Sequence, residues 1–300
     1  MKNTLKTLIT TVLLFLTLAS ISLASTFRIY FENDFPFDDD SDYTNGARFE
    51  WQEGSYSLFL EQLMYSPENI KIPQHIPGTH PYAGFLGVGA SKFFSKELNS
   101  RLNWNSYLEL ESGMIGPSSL AEGTQKTIHK IVGAHEPKGW DNQLHDEWEI
   151  QFVGITGLEY LLLGNPDRWN LRIEDELVLY AGTIQDAIGN NLSIRLGFNS
   201  SFNRRPSEIE IRASEKRPTT FYLLVGNETR WWGWNVFLDG NRDGNSYSVV
   251  KEPWTTALRT GLGAEIGKLE IGWFTLFCTR QYETQRRTPN YMSFQLGYRF

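Results

Sequence analysis

The last ten residues alternate between apolar and polar side chains, and this pattern limits the fold more than any other stretch of the chain. From Tyr291 to Phe300 the even positions are Met, Phe, Leu, Tyr and Phe, and the odd positions from 293 are Ser, Gln, Gly and Arg. Such alternation is typical of a β-strand with one apolar and one polar face. In a soluble sheet the polar face would meet water, whereas in a membrane barrel it would line the lumen.

Runs of the same kind recur after residue 25, and with the last strand they number twelve. An even number suits a barrel whose two ends lie on the same side of the membrane. The high content of Trp, Tyr and Phe and the terminal aromatic residue favour an all-β, antiparallel, up-and-down transmembrane barrel over a water-soluble β-sandwich. The predicted strands are residues 27–32, 44–52, 55–64, 85–93, 102–114, 148–162, 169–180, 191–197, 219–238, 254–264, 268–278 and 290–300.

The first 24 residues have the pattern of a secretory signal. Lys2 and Lys6 precede an apolar run from Leu8 to Leu18, and Ser22-Leu23-Ala24 is a small-x-small cleavage motif. No later apolar run reaches the length that a membrane helix needs. We therefore expect residues 1–24 to be removed and residues 25–300 to form one barrel domain in the bacterial outer membrane.

The charge and the cysteine content exclude two further classes of protein. Without the signal, 26 Lys and Arg face 35 Asp and Glu, a formal charge of −9. An acidic chain without a basic stripe is not a nucleic-acid binder. The single cysteine, Cys278, cannot form an internal disulfide, so stability has to come from backbone pairing and packing.

The predicted topology collects the polar motifs at one end of the barrel. Short links near residues 53–54, 94–101, 165–167 and 266–267 are predicted periplasmic turns, and residues 199–218 form a long connection at that same end for which we have no account. The connections 35–43, 67–83 and 115–146 then lie at the extracellular end. The polar motifs all fall in or beside these three connections, at the rim that faces the outer leaflet.

The first of these motifs, Glu32-Asn33-Asp34, is followed by an acidic loop from Asp38 to Asp42. Carboxylate and carboxamide oxygens are ligands that calcium takes. The loop is not an EF-hand, because Tyr43 stands where that motif needs Gly. For residues 38–42 we prefer the interpretation of a solvated acidic loop, and for Asn33 and Asp34 we expect a metal site.

The stretch from Gly116 to His129 carries the predicted chemistry. If residues 124–132 form a helix, Gln125 and His129 lie four residues apart on one face, while Ile128, Ile131 and Val132 can pack on an apolar surface. An imidazole beside an amide suits general-base chemistry near neutral pH. The ordinary alternative is a histidine on a surface helix.

These motifs, in this order along the chain, resemble the lipid A 3'-O-deacylase family of outer-membrane enzymes. The resemblance covers nearly the whole chain after the signal. It rests on residues 32–34, 42–46, 81–84 and 116–117, on Gln125 with His129, and on residues 139–143. It implies a twelve-stranded barrel and a calcium-dependent esterase that removes the 3'-linked acyloxyacyl group of lipid A in the outer leaflet.

Carried over by position, the resemblance implies that His129 is the catalytic histidine and that Gln125 and Thr44 are functional residues. It likewise implies a role for Asn33 and Asp34, which we expect to bind calcium. Two departures stand out: Gly78-Thr79-His80 replaces basic residues before the aromatic turn, and His135 replaces an acidic residue six positions after the histidine.

The sequence therefore predicts a monomeric, membrane-embedded ester hydrolase that acts on lipid A or lipopolysaccharide. His129 would deprotonate water, calcium would polarise the ester carbonyl, and Gln125 and Thr44 would orient the reactants. One alternative is a Ser-His phospholipase that uses Ser118 or Ser119 as nucleophile. Another is a porin-like or adhesin-like barrel without catalysis. The aromatic loop residue Trp140 is predicted to sit at the membrane interface.

Overall fold

The computed structural model describes residues 25–37, 40–199 and 219–300. The predicted signal at 1–24, the loop residues Asp38 and Asp39, and nearly all of the predicted connection 199–218 lie outside the described residues. No helix among the described residues is long and apolar enough to cross a membrane.

Twelve antiparallel strands form a closed barrel, as predicted. Each strand pairs with its neighbours in sequence, and β1 closes on β12 with Phe27 opposite Tyr298. The strands are β1 (Ser25–Asn33), β2 (Asp42–Glu53), β3 (Tyr56–Ser66), β4 (Ala83–Asn99), β5 (Leu102–Ile115), β6 (Glu147–Gly164), β7 (Trp169–Gly182), β8 (Gln185–Phe198), β9 (Thr219–Asn235), β10 (Trp254–Ile266), β11 (Leu269–Cys278) and β12 (Tyr291–Arg299).

Three predicted strand bounds differ from the observed ones by three residues or more. β4 continues to Asn99, so the predicted turn 94–101 shrinks to two residues. β8 begins at Gln185 rather than at residue 191, because polar residues such as Asn190 find partners on β7: its Nδ2 donates to Asp175 Oδ1 at 2.6 Å. β9 ends at Asn235, where the side chain caps a short helix, α2 (Val236–Asp239).

The connections have different lengths at the two ends of the barrel. At one end, called here the turn end, β2 to β3, β4 to β5, and β10 to β11 are joined by two residues each. At the other, called the loop end, residues 34–41, 67–82 and 116–146 connect the strands. The last of these connections contains helix α1 (Ala121–Val132), which starts three residues before the predicted helix and ends at Gly133 with φ of 76°.

The interior of the barrel is filled near the turn end. The guanidinium of Arg28 pairs with Glu270 at 2.7 Å and with Glu50 at 3.1 Å, and Arg172 pairs with Glu159 at 2.7 Å. These side chains are almost fully buried. Buried ions need such partners because desolvation of an unpaired charge is costly.

At the loop end the barrel is closed by an apolar layer that includes Phe85, Ile115, Leu144 and Phe237. A cavity of about 360 Å³ remains inside the barrel. With ion pairs towards one end and an apolar layer at the other, this interior is packed rather than shaped as an open channel, which argues against the porin-like alternative.

Candidate active site

The candidate site lies on the outer wall of the barrel, at the loop end. In β3 the even-numbered side chains point outward, since Leu58 and Leu60 are exposed while Phe59 is buried inside. The side chain of Met64 is even-numbered too and therefore points outward, and yet it is only 1% exposed. It is covered because it belongs to a second apolar cluster outside the barrel, together with Ile70, Tyr82, Ala121 and Trp140.

Gly84 allows the connection 116–146 to lie against this wall. It pairs directly with Met64 and therefore shares its outward face. A Cβ atom at Gly84 would come within 2.2 Å of Ser119 Oγ and 2.3 Å of Ala121 Cβ. Any side chain there would push the start of α1 away from the barrel, so the position requires glycine.

Gln125 is held between the wall and the aromatic loop. Its Nε2 donates to Ser66 Oγ at 3.3 Å, and its Oε1 accepts from Trp140 Nε1 at 2.7 Å. The prediction of an interfacial Trp140 was wrong, because its ring is 1% exposed and packs at a tilt against Tyr82. A buried indole needs an acceptor for its N–H, and Gln125 supplies it.

His129 lies one turn further along α1 and has a partner at each ring nitrogen. Nδ1 contacts the backbone carbonyl of His135, and Nε2 lies 3.3 Å from Asp40 Oδ2. The carbonyl of His135 thus orients the ring at the position where an acidic side chain was expected. Asp40 was interpreted as part of a solvated loop, which was wrong, because its carboxylate meets the buried imidazole.

Asn33 and Thr44 shape the connection between β1 and β2. Asn33 Nδ2 donates to the carbonyl of Thr44 at 3.0 Å, and Asn33 Oδ1 accepts from the amide of Phe35 at 2.9 Å. The register of β2 against β3 shifts between Tyr43 and Asn45, which makes Thr44 the extra residue of a β-bulge. The Thr44 hydroxyl points to the carbonyl of Asp42 at 3.5 Å, and not to Gln125 or His129.

The acidic residues of this connection are held by specific contacts. Asp34 is 3% exposed and accepts from the amide of Ser41 at 3.0 Å. Asp42 accepts from the hydroxyl of Tyr282 at 2.8 Å. Asp40 and Asp42 adopt φ of 57° and 59°, a region that L-residues rarely occupy. Asp40 and Asp42 are therefore held in place rather than merely solvated. Tyr282, from the connection between β11 and β12, is a support that no local sequence pattern indicates.

The connection between β1 and β2 is rich in oxygen atoms of the kind that a hard cation takes. Within the described parts of the chain, no three His, Cys, Asp or Glu side chains converge on a point that could hold a metal ion. Calcium, however, also takes carbonyl, carboxamide and water oxygens. Asp34 and Asp42 supply carboxylates within nine residues, and Asn33 and Thr44 supply a carboxamide and a carbonyl.

Both candidate serine nucleophiles are engaged away from the imidazole. Ser118 Oγ donates to Asp146 Oδ2 at 2.8 Å, and its amide donates to the same carboxylate. Ser119 is fully buried and donates to the carbonyl of Gly116 at 2.6 Å. Neither serine is paired with His129, so the arrangement does not support a Ser-His pair.

The substituted turn Gly78-Thr79-His80 is buried beneath the loops. His80 is fully buried, its ring stacks on Tyr65 at 5.0 Å between centroids, and Nδ1 bonds to the carbonyl of Pro81. Desolvation lowers the pKa of His80 to about 4, partly offset by that hydrogen bond. This histidine is neutral at neutral pH and does not offer a charge to a substrate.

Comparison with known proteins gives a family. The family model described as outer membrane protein LpxR matches residues 8–300. The chain belongs to the LpxR family. Like the family, it is an outer-membrane protein, and its outward apolar side chains face lipid.

One solved structure agrees with this assignment at the level of the fold. LpxR from Salmonella typhimurium is similar with a TM-score of 0.79 and 18% identity, over 92% of this chain and 100% of that chain. The β domain of the Bordetella autotransporter BrkA reaches a TM-score of only 0.44 with 10% identity, over 92% of this chain and 99% of that one. The comparison with curated proteins gave no match.

Proposed function

We propose that this protein is a calcium-dependent lipid A 3'-O-deacylase, in which His129 activates the attacking water. Membership of the LpxR family supports an outer-membrane lipid A deacylase. The observation that carries the proposal is the location of Gln125 and His129. Both lie on the face of α1 that is turned towards the outer wall of the barrel. A lipid in the outer leaflet reaches that seam by lateral diffusion, whereas a soluble substrate would be expected in the lumen.

The contacts of His129 support a general base. When Nδ1 carries its proton and donates it to the carbonyl of His135, Nε2 is left as the basic nitrogen. The carboxylate of Asp40 lies 3.3 Å from Nε2 and can accept a hydrogen bond from that nitrogen once it has taken a proton from water. A histidine base needs both features. One ring nitrogen donates its proton to a fixed acceptor, and a negative charge lies near the other nitrogen when that nitrogen becomes protonated.

The reaction then follows ordinary ester hydrolysis. The oxygen of the activated water bonds to the acyl carbon, and the bond between that carbon and the sugar oxygen breaks. The proton taken by Nε2 passes to the departing sugar oxygen, which becomes the free 3'-hydroxyl, and the acyloxyacyl chain leaves as a carboxylic acid. Gln125, fixed by Ser66 and Trp140, orients the reactants beside the imidazole.

Calcium would be held by Asp34 and Asn33, with Thr44 and Asp42 of the same connection. Bound there, it would supply Lewis-acid polarisation of the ester carbonyl. Thr44 contributes through its position in the bulge and its carbonyl rather than through its hydroxyl, which points to Asp42.

The test is the mass of lipid A from cells that express the protein, in the presence of calcium. We expect the loss of the 3'-acyloxyacyl group with the wild type and no loss with His129→Ala. His145→Ala is the matched control, because His145 is an exposed histidine of the same connection. Purified protein should lose activity on chelation and regain it with calcium. Unchanged deacylation by His129→Ala would refute the assignment.

The variants Ser118→Ala and Ser119→Ala separate this mechanism from a serine hydrolase. Both serines bond to groups other than His129. We therefore expect each variant to keep its deacylase activity when the barrel is folded. Loss of activity in one of them, with folding intact, would favour the Ser-His alternative.

A further inference from the structure

Helix α1 exposes three of its apolar residues and buries two of its polar ones. Gln125 and His129 are 3% and 5% exposed, while Ile131 and Val132 are 78% and 68% exposed. Ile131 and Val132 were predicted to pack on an apolar surface, and the described residues of the protein leave both largely exposed. A helix on the surface of a soluble domain has the opposite arrangement, with its apolar stripe on the core.

The contacts of α1 show that it runs across the strands rather than along them. Its first residue, Ala121, lies over Gly84 of β4. Gln125 lies at Ser66, the end of β3, and His129 lies at Asp40, in the connection between β1 and β2. The helix therefore follows the circumference of the barrel, with one flank towards the membrane and the turn end, and the other towards the loop end.

The exposed residues of α1 separate into two flanks. With 100° between successive residues, one flank carries Ile128, Ile131 and Val132, and is called here the apolar flank. The opposite, polar flank carries Glu122, Lys126 and Lys130, with Lys126 and Glu122 paired at 2.6 Å. Both flanks border the buried face formed by Gln125 and His129.

The hand of the barrel decides which flank faces the membrane. Phe93 points inward on β4, which runs towards the turn end, and its amide donates to the carbonyl of Ser55 at the start of β3. Let the barrel be seen from outside with the loop end on top. Because Phe93 is an L-residue with an inward side chain on a descending strand, its amide points to the right, so β3 lies to the right of β4. Helix α1 therefore runs from left to right, and its right-handed winding turns the apolar flank towards the turn end.

We propose that the apolar flank of α1 inserts among the hydrocarbon chains of the outer leaflet, with the polar flank at the level of the headgroups. An apolar side opposite a lysine-bearing side is the pattern of a helix that lies in a membrane interface. The connection between β1 and β2 also reaches the depth of the hydrocarbon. Its Phe37 contacts the outward-facing ring of Phe277 on β11, with ring centroids 5.7 Å apart.

The inserted flank sets the depth of the site. Ile128 and Val132 are next to His129 on the helical surface, on the membrane side of it. The imidazole then lies at the boundary between headgroups and hydrocarbon, where the ester bonds of membrane lipids are found. The helix would hold the base at the depth of the scissile bond, whichever ester that is.

A depth measurement tests this inference independently of catalysis. In a Cys278→Ala background, Ile131→Cys and, as the matched control, Lys130→Cys on the polar flank are labelled with an environment-sensitive fluorophore. The protein is reconstituted into phosphatidylcholine vesicles with brominated acyl chains. Because bromine quenches only at short range, we expect several-fold stronger quenching at position 131 than at position 130, together with a blue-shifted emission.

The outcomes are decisive in both directions. Equal quenching at the two positions, or none at position 131, would overturn the inference. Val132→Cys repeats the measurement on the same flank if the label at position 131 disturbs folding, which the mobility of heated and unheated samples on gels reports. The readout needs no turnover, so a failed deacylase assay leaves it valid, and a failed depth measurement leaves the deacylase proposal standing.

Discussion

The contact between Asp40 and His129 gives the sharpest prediction about the chemistry. Asp40→Asn keeps the shape of the side chain and removes its charge, so the imidazolium of His129 loses its counter-ion. A hydrogen bond to a charged group contributes about 1.5–3 kcal/mol. The distance of 3.3 Å and the 22% exposure of the Asp40 side chain favour the lower end of that range. We therefore expect kcat to fall about tenfold, and by no more than about 150-fold.

The assay is the initial rate of acyl release from lipid A in mixed micelles, measured over a range of calcium concentrations. If Asp40 acts on the imidazole, kcat falls while the calcium concentration for half activation is unchanged. If Asp40 is instead a metal ligand, that concentration rises. Asp146→Asn is the matched control, because it removes the same charge from the same end of the barrel at a residue that pairs with Ser118. A full rate for Asp40→Asn would refute the assigned role.

Three further predictions concern the support of the site. Gly84→Val should fold into a barrel and lose deacylase activity in the lipid A assay, because the new Cβ would lie 2.2 Å from Ser119 Oγ and displace α1. Arg28→Met should lower the free energy of unfolding by about 3–5 kcal/mol, since Glu50 and Glu270 lose a buried partner; urea unfolding in detergent would measure it, with kcat of the folded fraction unchanged. Burial holds the pKa of His80 at about 4, whereas the unfolded chain binds the proton already near pH 6.5. The free energy of unfolding should therefore fall by up to about 3 kcal/mol as the pH drops from about 6.5 to 4. His80→Phe should flatten that part of the plot of stability against pH.

The fold was predictable because apolar and polar residues alternate along a barrel strand wherever lipid lies on one side and a polar lumen on the other. The pairing of β1 with β12 and the twelve-strand order follow from that pattern. The pattern fails in β8, where Asn190 and Asn191 interrupt it although both have partners on β7. It also says nothing of α2, which depends on the cap by Asn235.

The site was predictable only where its residues are close in sequence. The spacing of Gln125 and His129 places them on one helical face, and both are buried on the same side of α1. The contact of His129 with Asp40, the support of Asp42 by Tyr282 and the indole donated to Gln125 join distant parts of the chain, and no local pattern encodes them. Their partners are set by the barrel, which brings the loop-end connections together.

Ile131 and Val132 were predicted to pack on an apolar surface, and the protein leaves both largely exposed. A soluble helix hides its apolar residues, but a barrel in lipid does the reverse: its charged side chains, such as Arg28 and Glu270, lie inside, and many of its leucines lie outside. Helix α1 repeats this reversal on the outer wall, where Gln125 and His129 face protein. A polar seam that opens towards lipid is a place where a water molecule, a base and the ester of a membrane lipid can meet without the lipid leaving its leaflet.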